Sequence, residues 1–461
     1  MKITVLNGSP KGDLSVTMQY ANFIEKKFPQ HKFTRFNIAS TIKKIEKDEK
    51  AFNEIIDSVK KSDGVIWAFP LYFLLVHAGY KRFIELISIK GVESAFKDKY
   101  ATTLTTSINF FDHTAHNYMR AVSEDLDMRY VGGYSAEMHD LTEKGERERL
   151  IRFANGFFSA IGNELKPPKR FAKIKKDAFK YKAGKPSVKI DSDGKRVVVI
   201  TDSAKDDANL NGMIERFRSS FKTKPELVNL NDVDIKGGCL GCIRCGYDNR
   251  CAYEGKDGYI DFYNDKVKGA DVLVFAGSVV DRYLSSRWKL FFDRSFFNTH
   301  IPSFTDKQVG FIISGPFYQV PNLTEILEGY LDCQQGNVVD FVTDGCGDSL
   351  EIDANLDSLA GQLVEFANAG YIKPRTFLGV GGAKIFRDDV WGKMRFPFVA
   401  DHKYYKEHGI YDFPQKKDRK VRTLNRILTL FSKVPRIRKE IYNNMIKEEM
   451  VKPIKKAAEA N

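Results

Sequence analysis

The chain predicts two tandem α/β domains, each a doubly wound parallel sheet, followed by a basic helical extension. Three observations predict it. Short apolar runs alternate with loops and helical patterns, the arrangement that builds βα units and hence parallel sheets. The order of these patterns restarts after about 190 residues, longer than a solenoid unit, which implies duplication of a whole domain. The 461 residues also exceed one ordinary domain. The expected boundaries are 1–165 for the first domain, 166–194 for a linker, 195–372 for the second domain and 373–461 for the extension.

Charge supports this division. The net charge is +13, but residues 166–189 carry ten Lys/Arg and one Asp, and residues 416–461 carry fourteen Lys/Arg and five acids. The folded bodies are left slightly acidic. A nucleic-acid-binding core is therefore not expected. The start, Met1-Lys-Ile-Thr-Val-Leu-Asn-Gly, enters a strand pattern at once and leaves no room for a signal peptide. The longest apolar stretch, Val65 to Tyr80, is broken by Pro70, His77 and Gly79 and is too short to span a bilayer. The expected location is the reducing cytoplasm, where clustered cysteines are metal ligands more often than disulfides.

Lys2–Leu6 reads as a strand. It enters the loop Asn7-Gly8-Ser9-Pro10-Lys11-Gly12-Asp13-Leu14-Ser15-Val16-Thr17, and Met18, Ala21, Ile24 and Phe28 then recur at helical spacing. A strand, a loop of Gly and hydroxyl residues and a helix suit a phosphate, because free N–H groups and the positive helix end face the anion. The spacing is neither that of an NTPase P-loop nor that of a Rossmann dinucleotide site. Ile55–Val59 closes a helix, and Asp63–Phe69 is a buried-strand run ending in Pro70-Leu71-Tyr72-Phe73. An aromatic loop at a strand's carboxyl end offers a planar ligand a platform. Ala78–Ile87 is helix-like, and Tyr100–Thr106 is a strand leading into Thr105-Thr106-Ser107.

In this order, Asn7-Gly8-Ser9-Pro10-Lys11 with Ser15 and Thr17, then Phe69-Pro70-Leu71-Tyr72, resemble the FMN site of the flavodoxin-like NAD(P)H-dependent FMN reductases and iron–sulfur flavoproteins. The resemblance implies a flavodoxin-like fold for both repeats. It implies an FMN phosphate held by Ser9, Lys11, Ser15, Val16 and Thr17, with Lys11 where Arg is common. It also implies an isoalloxazine ring lined by Pro70, Leu71, Tyr72 and Phe73 and by Thr105, Thr106 and Ser107. His113 and His116 read as a loop or helix start, and Asp140–Glu148 as a solvated helix.

Lys166–Lys189, Lys-rich with three prolines, reads as a linker whose Phe171, Ile174, Phe179 and Tyr181 lie along a surface. The pattern then restarts. Arg196–Ile200, Pro225–Leu230, Asp271–Phe275 and Gln308–Ser314 are strands, and Met213–Phe221 is a helix. The loop after the first of these strands carries Asp202, Asp206 and Asp207, which would repel a phosphate. FMN binding by this second copy is therefore in doubt.

The second copy has what the first lacks: Cys239, Cys242, Cys245 and Cys251, four of the six cysteines, spaced C-x2-C-x2-C-x5-C and flanked by Gly237, Gly238, Gly241 and Gly246. Thiolates this close suit one soft metal centre. An iron–sulfur cluster is the first reading. Zinc is the second, although its sites more often use two separated pairs. Free thiols or a disulfide remain the plain alternative. The segment resembles the compact motif of iron–sulfur flavoproteins, which implies a 4Fe-4S cluster. Cys333 and Cys346 read as buried thiols.

Beyond Tyr371, Gly379-Val380-Gly381-Gly382-Ala383 reads as a turn or strand edge and Asp401-His402-Lys403-Tyr404-Tyr405 as a surface loop. Val421, Leu424, Ile427, Leu428, Phe431 and Val434 form an apolar stripe on a basic helix, suited to the chain's own domains, a second subunit, anionic lipid or an acidic electron carrier.

Three functional readings follow. The first is an oxidoreductase passing electrons between NAD(P)H or a protein donor, FMN and a 4Fe-4S cluster. The second is a flavin-only NAD(P)H reductase of quinone, nitro or azo compounds, with a structural or zinc-bound cysteine loop. The third is a non-catalytic flavodoxin-like module. No side-chain acid or base is demanded, so no catalytic residue is assigned. The second half of the flavin pocket could come from a homodimer partner or, as an intramolecular pseudo-dimer, from the tandem copy.

Overall fold

The computed structural model describes residues 1–175, 178–187, 189–413 and 418–458, with the backbone alone for 444–450. Parts of the linker and of the basic tail (176–177, 188, 414–417 and 459–461) lie outside the described residues. Two compact units are formed, Met1–Tyr404 and Tyr405–Asn461.

The first unit contains two five-stranded sheets. Strands β1 (Lys2–Asn7), β2 (Lys32–Asn37), β3 (Gly64–Pro70), β4 (Tyr100–Ser107) and β5 (Arg129–Glu137) form the first, in the order β2-β1-β3-β4-β5. Strands β6 (Val197–Thr201), β7 (Glu226–Asn229), β8 (Val272–Ser278), β9 (Gln308–Ser314) and β10 (Asn337–Thr343) form the second, in the matching order β7-β6-β8-β9-β10. Neighbouring strands run parallel throughout. This 2-1-3-4-5 order is flavodoxin-like, and it opens a crevice where the chain's winding reverses, beyond the carboxyl ends of β1 and β3.

The helices that matter to the site are α1 (Val16–Lys27), α2 (Ile38–Lys47), α3 (Glu49–Lys61), α4 (Ala78–Ile89), α5 (Asp112–Asp125) and α6 (Lys144–Gly162) in the first domain. The second has α7 (Ala208–Ser219), the short α8 (Cys245–Asp248) and α9 (Tyr259–Phe262), α10 (Ser286–Arg294), α11 (Pro321–Cys333) and α12 (Ser349–Ala369). Beyond it come α13 (Phe377–Trp391) and α14 (Val399–Glu407). Each sheet has an outer apolar layer of its own: Met18, Ile24 and Phe157 on the first, Leu210, Phe217 and Leu359 on the second. The inner layers merge into one cluster that includes Trp67, Phe83, Trp288 and Phe291. Burying that surface is the main force holding the domains together.

Helices α4 and α10 occupy equivalent places in the two copies, and each caps the other. Asp293 of α10 accepts a hydrogen bond from the Ala78 amide at the start of α4 (2.7 Å), and Glu85 of α4 accepts from the Ser286 amide at the start of α10 (2.5 Å). The same carboxylates pair with buried lysines on their own helices, Lys289 with Asp293 and Lys81 with Glu85 (2.7 Å). Lys81 is also 3.1 Å from Asp281 of the other domain. Each carboxylate thus satisfies a lysine and a free helix end that burial would otherwise strand.

Three expectations need correction. Gly379–Ala383 is neither turn nor strand edge but part of α13. Its glycines let that helix approach α11 closely: a Cβ at Gly382 would lie 2.7 Å from Phe110 and 3.2 Å from Cys333 Sγ. Asp401–Tyr405 is not a surface loop but lies in α14, with Asp401 fully buried. Cys346 is exposed, not packed. The linker behaves as expected at Ile174, Phe179 and Tyr181, which pack against the cores. In the second unit, Arg419–Phe431 is helical, capped by Asp418, and Val421, Leu424, Ile427, Leu428 and Phe431 are exposed. Among the described residues no helix is long and apolar enough to cross a membrane.

Candidate functional site

The crevice of the first domain holds a cavity of about 340 Å³, within the range of small-molecule and cofactor sites. Ser9, Lys11, Ser15 and Val16 line it from the loop after β1, Pro70, Leu71, Tyr72 and Phe73 from the loop after β3, and Thr106 and Ser107 from the end of β4. Ser15 is the N-cap of α1, its hydroxyl accepting from the Met18 amide (3.2 Å), while the Asn7 side chain accepts from the Ser9 amide (2.9 Å) and tightens the turn.

Two residues expected in the site stand behind it. Side chains alternate along a strand, so Thr105 faces away from the cavity, its hydroxyl 2.8 Å from His116 Nε2. Thr17 is fully buried, 2.6 Å from the Thr106 hydroxyl, and supports it from below. His116 therefore belongs to the underside of the sheet. His113 is exposed and pairs with Glu325 (2.6 Å).

The loop after β3 turns sharply. Tyr72 and Leu75 exchange both backbone hydrogen bonds (2.9 and 3.0 Å), and the two residues between them, Phe73 and Leu74, have φ of 37° and 61°. Left-handed backbone at bulky side chains is uncommon and is retained where the surroundings enforce it. Here Phe73 is wedged edge-on against Phe296 and Tyr330 of the second domain.

The cysteine loop reaches across to this site. His77 Nδ1 accepts from the Gly79 amide (3.1 Å), so the proton is on Nε2, which donates to the Cys239 carbonyl (2.9 Å). Burial lowers the pKa of His77 and keeps it in this neutral form. Gly241 sits at φ +62°, where a Cβ would collide with Tyr72 Oη and stand 3.1 Å from Lys11 Cε. Cys239, Gly241 and Ile243 complete one wall of the cavity, and Phe386, Asp389 and Val390 of α13 form part of another. The second domain thus closes the pocket of the first within one chain.

Cys239, Cys242, Cys245 and Cys251 are all free thiols and line one small adjoining cavity with Arg294. Cys239 and Phe296 border both cavities. The base of the loop is locked by Arg294, which donates to both Asp257 oxygens (2.7 and 3.0 Å) and to the Gly237 carbonyl (3.0 Å), while Asp257 also accepts from the Lys236 amide. Arg294 Nε is buried with no hydrogen-bond partner among the described residues. Burial pushes the Cys239 and Cys245 thiols up to about 12. The donor set, four thiols beside a buried guanidinium, fits a thiolate-bound centre in kind. As placed, no group of three or more His, Cys, Asp or Glu among the described residues could hold a metal ion.

Sequence reasoning missed Phe296, His300, Tyr330, Asp389 and Phe398, all of which line the main cavity. They come from the second domain and from the segment beyond it, and no local motif marks them.

Residues 1–141 match the family model of NADPH-dependent FMN reductases. No curated protein matches the chain. Among solved structures, the chain is similar to an apo NADH:FMN oxidoreductase, EMOB, at 18% identity and a TM-score of 0.30, over 34% of this chain and 89% of that one. It is similar to general stress protein 14 of Treponema denticola in complex with FMN at 12% identity and a TM-score of 0.27, over 35% and 98%. It is also similar to an FMN-dependent NADH-azoreductase of Bacillus anthracis at 12% identity and a TM-score of 0.26, over 35% and 98%.

Proposed function

We propose, from a first domain whose residues 1–141 match the family model of NADPH-dependent FMN reductases, that the chain is an FMN-dependent oxidoreductase that draws electrons from NAD(P)H or a protein donor and passes them on through a 4Fe-4S cluster. The observation that carries this reading is the shared border: the cofactor loops and Cys239 line one cavity, and Cys239 also lines the cysteine pocket beside it.

Ser9, Lys11 and Ser15 would hold the FMN phosphate at the start of α1, where amides and the helix dipole favour an anion. Pro70–Phe73 would flank the ring, and Thr106 and Ser107 would offer it hydrogen bonds. Cys239, Cys242, Cys245 and Cys251 would hold the cluster, with Arg294 offsetting its negative charge. Bound FMN supplies exchange between a two-electron donor and a one-electron centre, and the cluster supplies the one-electron carrier. The chain's own work is to orient, to exclude water and to set charge. Tyr72, Gly241 and α13 do this by sealing the crevice.

A flavin-only reductase of quinone, nitro or azo compounds is the second reading. It is favoured by the absence, among the described residues, of a ligating group as placed. The deciding experiment is an absorption spectrum of anaerobically purified protein, with iron, sulfide and zinc assayed on the same sample. Flavin bands over a broad shoulder bleached by dithionite, with iron and sulfide, support the first reading. Flavin with zinc or no metal supports the second. Neither flavin nor metal defeats both.

A further inference from the structure

The cavity contains one arrangement that the cofactor reading does not use. After α10, the chain makes a short 3-10 turn, Ser295–Asn298, and then places Thr299 at φ 54° and ψ −124°. For a β-branched residue this is an outlier that its surroundings must enforce. Asp401 of α14 enforces it. Its Oδ1 accepts from the His300 amide (2.9 Å) and lies 2.7 Å from the Thr299 hydroxyl, and its Oδ2 lies 3.3 Å from His300 Nδ1. Asp401 is fully buried, so its carboxylate is spent on these contacts.

The His300 ring is clamped as well as tethered. Phe386 lies nearly parallel to it at 4.0 Å, and Phe398 packs edge-on at 4.9 Å. With Nδ1 turned to the carboxylate, that nitrogen carries a proton, and Nε2 has no partner among the described residues. The side chain lines the cavity that Tyr72, Thr106 and Ser107 also line. The other titratable groups on that cavity are Asp389 of α13, Tyr330 and Cys333 of α11 and Cys239 of the cysteine loop, with Lys11 and Tyr72 on the first domain's side.

We infer that His300, oriented by Asp401, is a catalytic residue that hydrogen-bonds and protonates the oxygen of a planar carbonyl acceptor of the quinone class. This rests on the second reading above, direct reduction of a quinone by the flavin. The balance is simple. The quinone takes two electrons and one proton as hydride from the reduced cofactor. Its other oxygen becomes an oxyanion; His300, which has first taken a second proton from solvent onto Nε2, gives that proton up as the new O–H bond forms, yielding the hydroquinone and leaving the Nδ1–H tautomer. Solvent then returns a proton to Nε2. A carboxylate behind the far nitrogen fixes the ring's tautomer and orientation, as carboxylate–histidine pairs do elsewhere.

The test uses full-length FMN-loaded protein and two acceptors, 1,4-naphthoquinone and ferricyanide. Ferricyanide takes single electrons and needs no proton from the enzyme. The His300→Gln variant should lower the quinone-to-ferricyanide rate ratio by about 100-fold or more, the lower end of the range for general acids. A second readout needs no turnover. Calorimetric titration of the oxidised protein with 2-hydroxy-1,4-naphthoquinone, without NAD(P)H, should show binding about 10-fold weaker in the variant. Asp401→Asn should shift the same ratio in the same direction, and His300→Gln serves alone if that variant does not fold. An unchanged ratio with unchanged binding overturns the inference while leaving the reductase standing. Wild-type protein that binds no FMN, or reduces neither acceptor, overturns the reductase reading and this inference with it.

Discussion

The two sheets share a strand order and differ in what stands beyond their first strands. In the first domain, Ser9, Lys11 and Ser15 border an open cavity. In the second, the corresponding loop is closed by its own carboxylates. Asp207 accepts from the Ser278 hydroxyl (2.5 Å), Asp202 accepts from Ser285, and Asp344 accepts from the Ser314 hydroxyl (2.8 Å) and the Gly315 amide (2.7 Å). Hydroxyls that could meet a phosphate are already engaged, and an arriving dianion would meet like charge. The same loop position after the second strand holds helices α2 and α3 in the first domain and the cysteine loop in the second. Duplication has left one copy suited to a cofactor and turned the other into its wall.

The contact between the copies is the most sensitive place to break this comparison. Asp293→Ala strands a buried lysine and an uncapped helix. It should cost about 3–5 kcal/mol in urea unfolding, and Glu85→Ala a similar amount, because the two caps are reciprocal. A large loss from one and none from the other would show that the apparent symmetry is not energetic. Next in size is the phosphate loop. Ser9→Asp brings to the first copy the charge that the second already carries, and should weaken FMN binding about 100-fold by fluorescence titration. Asp207→Ala should leave FMN affinity and stoichiometry as they are.

The third effect is a pH dependence confined to the second copy. Burial raises the carboxyl of Asp202 to about 6. A raised folded pKa means that the native state binds the proton more tightly than the unfolded chain. Stability should therefore fall as pH rises from about 4 to about 6, by roughly 2 kcal/mol. Asp202→Asn should flatten that slope in denaturant titrations taken across the window, and an equally steep slope in the variant would assign it to other groups. The smallest effect concerns the docked cysteine loop. Gly241 and Gly255 both have positive φ, but Gly241 faces Tyr72 and Lys11, whereas none of the described residues lies within 4 Å of a Cβ at Gly255. Both Ala variants should lose about 1–2 kcal/mol from backbone strain. Gly241→Ala alone should also alter the flavin absorption spectrum.

Much of the fold was legible in the chain because βα units announce themselves locally. The strand Gln308–Ser314 falls where its apolar run lies, and the loop residues of the first domain sit at strand ends by construction. The misreadings have a common cause. Thr105 and Thr106 are neighbours of one type, and only the pleat separates the cavity from the underside. Gly379–Ala383 looks like a breaker, yet the close approach of α13 to α11 rewards residues without side chains. His300 and Asp401 are 101 residues apart and carry no spacing signal. Their relation exists only after a long-range packing event that pattern reading does not represent.

The reciprocal caps between α4 and α10 also bear on how such a chain can change over generations. In a dimer of identical subunits every substitution is made twice, so a loop that loses its ligand loses it on both sides. Here the two faces are encoded separately and meet without dilution by the surroundings, whatever the protein concentration. One face can therefore carry carboxylates and cysteines while the other presents Ser9, Lys11 and Ser15. Covalent linkage lets two matching sheets divide their roles.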